Sequence, residues 1–320
     1  MLAPFPSRYI AYFDNPSRNV AYAVRRLCKD GYLEKKKLNG KNYLFLGEKK
    51  CEPPFENADT LYEANRRRCW KYANAKATKQ NRRRASYISL TGVVMIGAKA
   101  QIMPDAKPAF GEKTSPGRYF YIPSEIKEDK SVGTRESRLT GFLMNHSDGY
   151  LVYGQNIKAG MIKDSAELKQ WHYCAQTARK MLGGPLFFRK KKSIIISEKD
   201  GFVEDILKKS DAEFDFSIFD EMYFFNVRKN KEHIRLFLDG KLKTEHNEHD
   251  IRFDYTDERG SHIEFYEPNV IRLRQILAYA KTQEITFIID CFDFQAELFG
   301  DALEGVAKLN TCTLHDFMEV

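Results

Sequence analysis

Residues 17–46 read SRNVAYAVRRLCKDGYLEKKKLNGKNYLFL, and they decide the fold expected at the amino-terminal end. Ser17 offers a hydroxyl suited to cap a helix that continues to about residue 30. Gly31 then ends the helix, because glycine adopts the left-handed conformation there without a steric penalty. Asn39-Gly40 between two strand-like runs is the strongest short signal for a β-hairpin. The stretch predicts a helix followed directly by a hairpin.

The residues before this stretch predict a second, shorter helix. Pro6-Ser7 is suited to open a helix over Arg8 to Phe13, and Asp14-Asn15-Pro16 interrupts it. Two helices joined by a turn and followed by a hairpin form a winged helix-turn-helix. Residues 1–50 are therefore predicted to be a domain of this type, which places a helix in the major groove of DNA.

The longer helix is expected to pack with one stripe and to expose the remainder. Val20, Val24 and Leu27 share one face, whereas the basic and polar side chains project elsewhere. Recognition helices contact base edges, and basic wing residues hold phosphates. The residues predicted to contact DNA in this domain are Arg18, Asn19, Tyr22, Arg25, Arg26 and Lys29 on the helix, and Lys35, Lys36, Lys37 and Lys41 on the hairpin.

Charge is unevenly distributed along the chain. Residues 1–100 hold 21 Lys and Arg against 8 Asp and Glu, whereas the remaining 220 residues hold 31 against 36. The first part is therefore strongly basic and the second mildly acidic. A basic block of this kind indicates contact with a polyanion, because neutralising phosphates releases bound counterions. Double-stranded DNA is the partner that this pattern predicts.

Residues 51–98 predict a basic helical connector. The segment after Pro53-Pro54 is mainly helix-forming and carries arginine triplets at 66–68 and 82–84. Adjacent residues fan around a helix, so the triplets suit contact with a DNA backbone better than a specific pocket, although a solvated face fits equally well. The connector residues predicted to reach DNA are Arg66, Arg67, Arg82 and Arg83.

Residues 99–320 predict a mixed α/β domain, with a candidate division near residue 190. Strand-like runs such as 119–122 and 149–153 precede a helix over 167–182. From residue 193 strands and helices alternate, and the last helix is expected near Phe294 to Val306. Such alternation is typical of an α/β or α+β body.

A short motif offers an enzymatic alternative. Pro104-Asp105 is followed after 19 residues by Glu125-Ile126-Lys127, the PD…ExK skeleton of many metal-dependent nucleases. Two carboxylates in such sites hold Mg²⁺, and the lysine assists the attacking water. The catalytic candidates of this alternative are Asp105, Glu125 and Lys127. Pro123 argues against it, because proline is poorly placed in the strand that the site requires.

Other functional classes lack support in the sequence. There is no GxxxxGK[ST] loop and no GxGxxG, which disfavours nucleotide-driven and dinucleotide-dependent enzymes. The six cysteines stand singly without a CxxC pair, which argues against a disulfide framework and a structural zinc site. No apolar run approaches the length of a membrane helix, and the start lacks the layout of a signal peptide. A cytoplasmic protein with no cofactor and no membrane contact is expected.

Two segments resemble a known family. They are IMPDAKPAF at 102–110 and YIPSEIKEDKSVGTRESRLTGFLMNHSDGYLVYGQNIKAGMIK at 121–163, which follow the winged helix and the arginine-rich helix. Together these features resemble the replication-relaxation proteins of conjugative elements and plasmids of Gram-positive bacteria, and the likeness covers residues 1 to about 165. It implies a winged-helix DNA-binding protein with a nuclease-type, degenerate α/β domain, acting in replication or transfer of a mobile genetic element.

The leading expectation is thus a non-enzymatic factor that binds double-stranded DNA. Its acidic carboxy-terminal half would contact a replication or transfer protein. A third hypothesis is an interaction protein directed at a host protein, in which the basic head mimics or masks a nucleic-acid site.

Overall fold

The computed structural model describes residues 5–6, 18–38, 41–47, 79–102, 107–126, 138–154, 164–184, 187–208, 218–243 and 253–319. These residues form a mixed α/β structure, which confirms the predicted fold class at that level. The helices are α1 (Arg18–Lys29), α2 (Lys79–Gly97), α3 (Pro123–Ile126), α4 (Asp164–Leu182), α5 (Gly201–Lys208), α6 (His233–Leu238), α7 (Val270–Gln283) and α8 (Leu314–Glu319). The strands are β1 (Phe5–Pro6), β2 (Leu33–Leu38), β3 (Lys41–Leu46), β4 (Arg118–Tyr121), β5 (Gly141–Asn145), β6 (Asp148–Gly154), β7 (Lys192–Ser197), β8 (Glu221–Asn226), β9 (Tyr255–Asp257), β10 (Gly260–Glu264), β11 (Phe287–Phe292) and β12 (Ala307–Cys312). None of the described helices has both the length and the apolar character needed to cross a membrane.

The amino-terminal strands form a small antiparallel sheet in the order β1-β3-β2. Leu38 pairs with Lys41, so two residues connect β2 to β3, as the Asn-Gly signal predicted. β1 lies on the other side of β3, with Phe5 opposite Leu44. The shorter helix predicted over residues 8–13 lies outside the described residues.

A five-stranded mixed sheet forms the centre of the body, in the order β4-β5-β6-β7-β8. β4, β5 and β6 run antiparallel, whereas β6, β7 and β8 run parallel. Parallel neighbours require a crossover, and α4 and α5 provide the two crossovers here. Apolar side chains of α2, including Leu90 and Val94, share a hydrophobic cluster with Phe120 and Val152, whereas Trp171 of α4 lies in a second cluster.

A four-stranded sheet in the order β12-β11-β10-β9 follows. β9 and β10 form an antiparallel hairpin, and the remaining pairs are parallel. α7 connects β10 to β11, and the side chain of Asn269 caps it by accepting a hydrogen bond from the N–H of Arg272. Phe224 of β8 and Ile289 of β11 belong to one hydrophobic cluster, so buried side chains of both larger sheets pack together.

The prediction of a single helix from Phe294 to Val306 was wrong. Two 3-10 helices, Asp293–Leu298 and Gly300–Leu303, precede β12 instead. Gly300 weakens an α-helix at this point, and Gly305 has a φ of 72°, which no α-helix accommodates. The chain therefore turns back and adds β12 to the sheet.

His233, at the start of α6, gives the fold a dependence on pH. Burial lowers the pKa of His233 from 6.5 to about 4, although the hydrogen bond that Nε2 makes with the Tyr266 carbonyl opposes this shift. Between about pH 6.5 and pH 4, His233 is protonated in the unfolded chain but neutral in the folded chain. The free energy of unfolding is therefore expected to fall by about 2 to 3 kcal/mol from this residue as the pH drops from 7.5 to 4.5.

Urea unfolding of the wild type and of His233→Gln at both pH values measures this contribution. Glutamine keeps an N–H donor but does not titrate, so the variant should lose less stability on acidification than the wild type. An equal loss in the two proteins would exclude His233 as the source.

Candidate nucleic-acid interface

The carboxyl end of α1 fixes the position of the hairpin. Gly31 has a φ of 83°, and the N–H of Tyr32 donates to the carbonyl of Leu27 at 2.9 Å, which closes the helix end as the sequence predicted. Gly47 then donates to the Tyr32 carbonyl at 2.8 Å. A Cβ atom at Gly47 would lie 1.9 Å from the Gly31 carbonyl oxygen, so only glycine permits this approach.

One side of α1 packs against the protein. Val24 and Cys28 are half-buried and contact the hydrophobic cluster that contains Leu44 of β3 and Ile88 of α2. Leu27 was expected on this side but is 38% exposed. The packed stripe is centred between Val24 and Cys28, and Leu27 is about 100° away from Cys28 around the helix.

The opposite side of α1 is cationic and exposed. Tyr22, Arg25, Arg26 and Lys29 all lie in solvent, and Tyr22 is 65% exposed. At about 100° per residue these four side chains project within an arc of roughly 100°. The helix therefore presents one continuous basic face, as the sequence predicted.

The hairpin adds a second row of basic side chains. Lys35 and Lys37 are exposed on β2, whereas Lys36 points to the other face of the strand. The Nζ atom of Lys36 lies 3.0 Å from Glu34 and 5.8 Å from the ring centre of Phe45. Phe45 and its neighbour Leu44 are each only 3% exposed and anchor the hairpin.

Ion pairing divides these cations into two groups. Arg26 lies 3.7 Å from Asp30, and Lys36 pairs with Glu34. Among the described residues, no ion pair or side-chain hydrogen bond occupies the members of the other group, which are Arg25, Lys29, Lys35 and Lys37. An incoming anion competes with an internal carboxylate at the first two cations and with water alone at the other four. We name the latter four the unpaired cations.

The other predicted DNA contacts are described only in part. The backbones of Arg18 and Asn19 lie in α1, that of Lys41 lies in β3, and those of Arg82 and Arg83 lie in α2, but their side chains are outside the described part. Arg66 and Arg67 lie outside the described residues altogether.

Glu125, the central residue of the nuclease alternative, lies on the short helix α3 and not on a strand. Its Oε2 atom accepts a hydrogen bond from the N–H of Ile122 at 2.8 Å, and its Oε1 atom lies 3.0 Å from the ammonium of Lys107. Burial lowers the pKa of Lys107, and the charge of Glu125 opposes that shift. The carboxylate thus caps a turn and neutralises a buried cation. Asp105 and Lys127 lie outside the described residues.

Sequence reasoning missed a buried polar network in the four-stranded sheet. The Nδ1 atom of His262 lies 2.7 Å from Asp290, and its Nε2 atom lies 3.0 Å from Asp257. Tyr255 donates its hydroxyl to Asp290 at 2.9 Å and stacks its ring on the imidazole at 4.4 Å. Asn310 of β12 also donates to Asp290. The network therefore joins β9, β10, β11 and β12.

One sequence signal could have revealed this network. Asp290 stands within the apolar run FIIDCF, and a buried carboxylate requires hydrogen-bonding partners. His246 and His249 stand three residues apart in the run TEHNEHD, a spacing conceivable for metal ligands, but they lie outside the described residues. Within the described ranges, no group of three or more His, Cys, Asp or Glu side chains is arranged to hold a metal ion.

Comparisons with known proteins give no indication of the function of this chain. No family, no curated protein and no solved structure matches this chain. The unpaired cations and the exposed face of α1 are therefore the basis for the functional proposal.

Proposed function

We propose that this chain binds double-stranded DNA through the exposed face of α1 and the β2–β3 hairpin. The observation that carries the proposal is the set of unpaired cations, because exposed Lys and Arg side chains without internal carboxylate partners can neutralise phosphates at little cost. Two of them lie on the helix and two on the adjoining strand, so one duplex can engage both elements.

The order of the amino-terminal elements supports a winged helix-turn-helix as the form of this head. β1 pairs with β3, and α1 directly precedes the hairpin, so α1 takes the place of a recognition helix and β2–β3 that of a wing. Val24 and Cys28 hold α1 on the protein while its opposite face remains available for the major groove.

The body of the protein fits a role in binding better than one in catalysis. The family resemblance implies a nuclease-type α/β domain, and the described body is a mixed α/β structure. The carboxylate of Glu125, however, is engaged by Lys107 and Ile122. We propose a role without a catalytic step and without Mg²⁺, and the family resemblance implies that it lies in replication, transfer or regulation of a mobile genetic element.

Salt dependence of binding tests the proposal. Fluorescence anisotropy with a labelled random-sequence duplex of about 20 base pairs should show a log–log slope near −3.6 for four neutralised phosphates. Raising KCl from about 50 to 200 mM should then weaken binding by ~100-fold. The same titration with a labelled neutral polymer of similar length is the control for nonspecific adhesion. Affinity that does not change with salt, or no binding at ~100 µM protein in 50 mM KCl, would contradict DNA binding by this surface.

A further inference from the structure

Tyr22 is the most exposed of the large hydrophobic side chains among the described residues. Its side chain is 65% exposed, compared with 47% for Met318 and 45% for Ile96. A single exposed aromatic residue needs no explanation by itself. Its position on α1 is what distinguishes Tyr22.

Tyr22 lies at the centre of the cationic face. In projection along the helix, Arg25 lies about 60° to one side and Arg26 about 40° to the other, with Lys29 between them one to two turns further on. When a helix enters the major groove, the middle of its exposed face meets the base edges and its flanks meet the sugar-phosphate backbones. The ring of Tyr22 is thus placed toward bases and the unpaired Arg25 on its flank toward a phosphate, whereas Arg26 is paired with Asp30.

The chemistry of the ring selects one feature of the groove. Among the four bases, only thymine presents a methyl group in the major groove, and apolar side chains contact it. The face of a tyrosine ring is apolar, and burying it against a methyl group removes apolar surface from water. We infer that Tyr22 contacts thymine C5-methyl groups and gives the DNA-binding surface of the protein a preference for sites with thymine at a fixed position. This inference rests on the proposed function.

Selection from a random duplex library tests the inference with three proteins. The wild type and Tyr22→Phe should enrich sites that share at least one thymine position, because phenylalanine retains the apolar ring. Tyr22→Ala should lose the preference at that position while retaining the salt slope on nonspecific duplex, because the unpaired cations are unchanged. Circular dichroism of the three proteins checks that Tyr22→Ala is folded.

Removing only the methyl group gives the decisive measurement. Deoxyuridine in place of thymine at the enriched position should weaken binding by the wild type about 5-fold and by Tyr22→Ala less than 2-fold. If the wild type binds duplex but selects no thymine, or if deoxyuridine weakens both proteins equally, the inference is overturned and DNA binding stands. If the wild type binds no duplex at any salt concentration, the proposed function itself fails.

Discussion

The triple variant Arg25→Ala, Lys35→Ala and Lys37→Ala is expected to bind a nonspecific duplex ~100-fold more weakly than the wild type at about 100 mM salt. Each of the three side chains is exposed, and none has an ion-pair partner among the described residues. Each lost phosphate contact should reduce the log–log salt slope by about 0.9, so the slope of the triple variant should be smaller by about 2.7. Stability should change little, because exposed side chains contribute little to folding.

A double variant with the same local chemistry is the matched control. Arg26→Ala combined with Lys36→Ala removes two cations from the same helix and the same strand, but both are engaged by internal carboxylates, Asp30 and Glu34. Affinity should therefore fall less than 5-fold, with a slope reduced by under one unit. Equal effects of the double and triple variants, after allowance for the number of charges, would show that ion pairing does not decide which cations contact DNA.

Asp290→Ala is expected to lower the free energy of unfolding by about 3 to 5 kcal/mol. Asp290 is 1% exposed, accepts hydrogen bonds from Tyr255 and Asn310, and lies 2.7 Å from the Nδ1 atom of His262, so it contacts all three other strands of its sheet. Its removal takes away a hydrogen-bond partner from the fully buried His262 and from the half-buried Tyr255 and Asn310. Urea titration monitored by circular dichroism measures the loss. The urea concentration at the unfolding midpoint should fall, while the dependence of the free energy of unfolding on urea concentration should stay unchanged.

Asp257→Ala is the control, since Asp257 contacts the other ring nitrogen of the same histidine. The pKa of Asp257 is lowered to about 2, because hydrogen bonds from Arg259 and His262 outweigh the opposing effect of desolvation. Asp257 nevertheless lies at the surface, where water can replace it as a partner. Its removal should cost clearly less stability than the removal of Asp290. Equal costs would mean that the network does not depend on burial.

Much of the fold could be predicted because its signals are local. Gly31 ended α1 and Asn39-Gly40 set the two-residue connection of the hairpin, and apolar runs such as the three isoleucines at 194–196 identified strands. The region after Phe292 could not be predicted in this way. Gly300 and Gly305 disfavour one helix over residues 294–306, but the pairing of β12 with β11 is a long-range contact that no local pattern encodes.

The candidate site was predictable in composition but not in detail. Helical periodicity placed Tyr22, Arg25 and Arg26 on one side of α1, which the structure confirms. The division between paired and unpaired cations was not predicted, although Asp30 stands four residues after Arg26, a spacing that makes the two side chains neighbours on a helix. The exposure of Leu27 likewise depends on how α1 is rotated against α2, which only tertiary packing decides.

The close approach of Gly47 to the Gly31 backbone limits how the hairpin can move relative to α1. The hairpin cannot swing away from α1 without breaking the hydrogen bond between Gly47 and Tyr32, and no larger residue fits at Gly47. Under the proposed function, the distance between the bases contacted by the helix and the phosphates contacted by the strand would therefore be fixed. A new preferred sequence is expected to require new side chains on α1, because the angle of the hairpin is not adjustable.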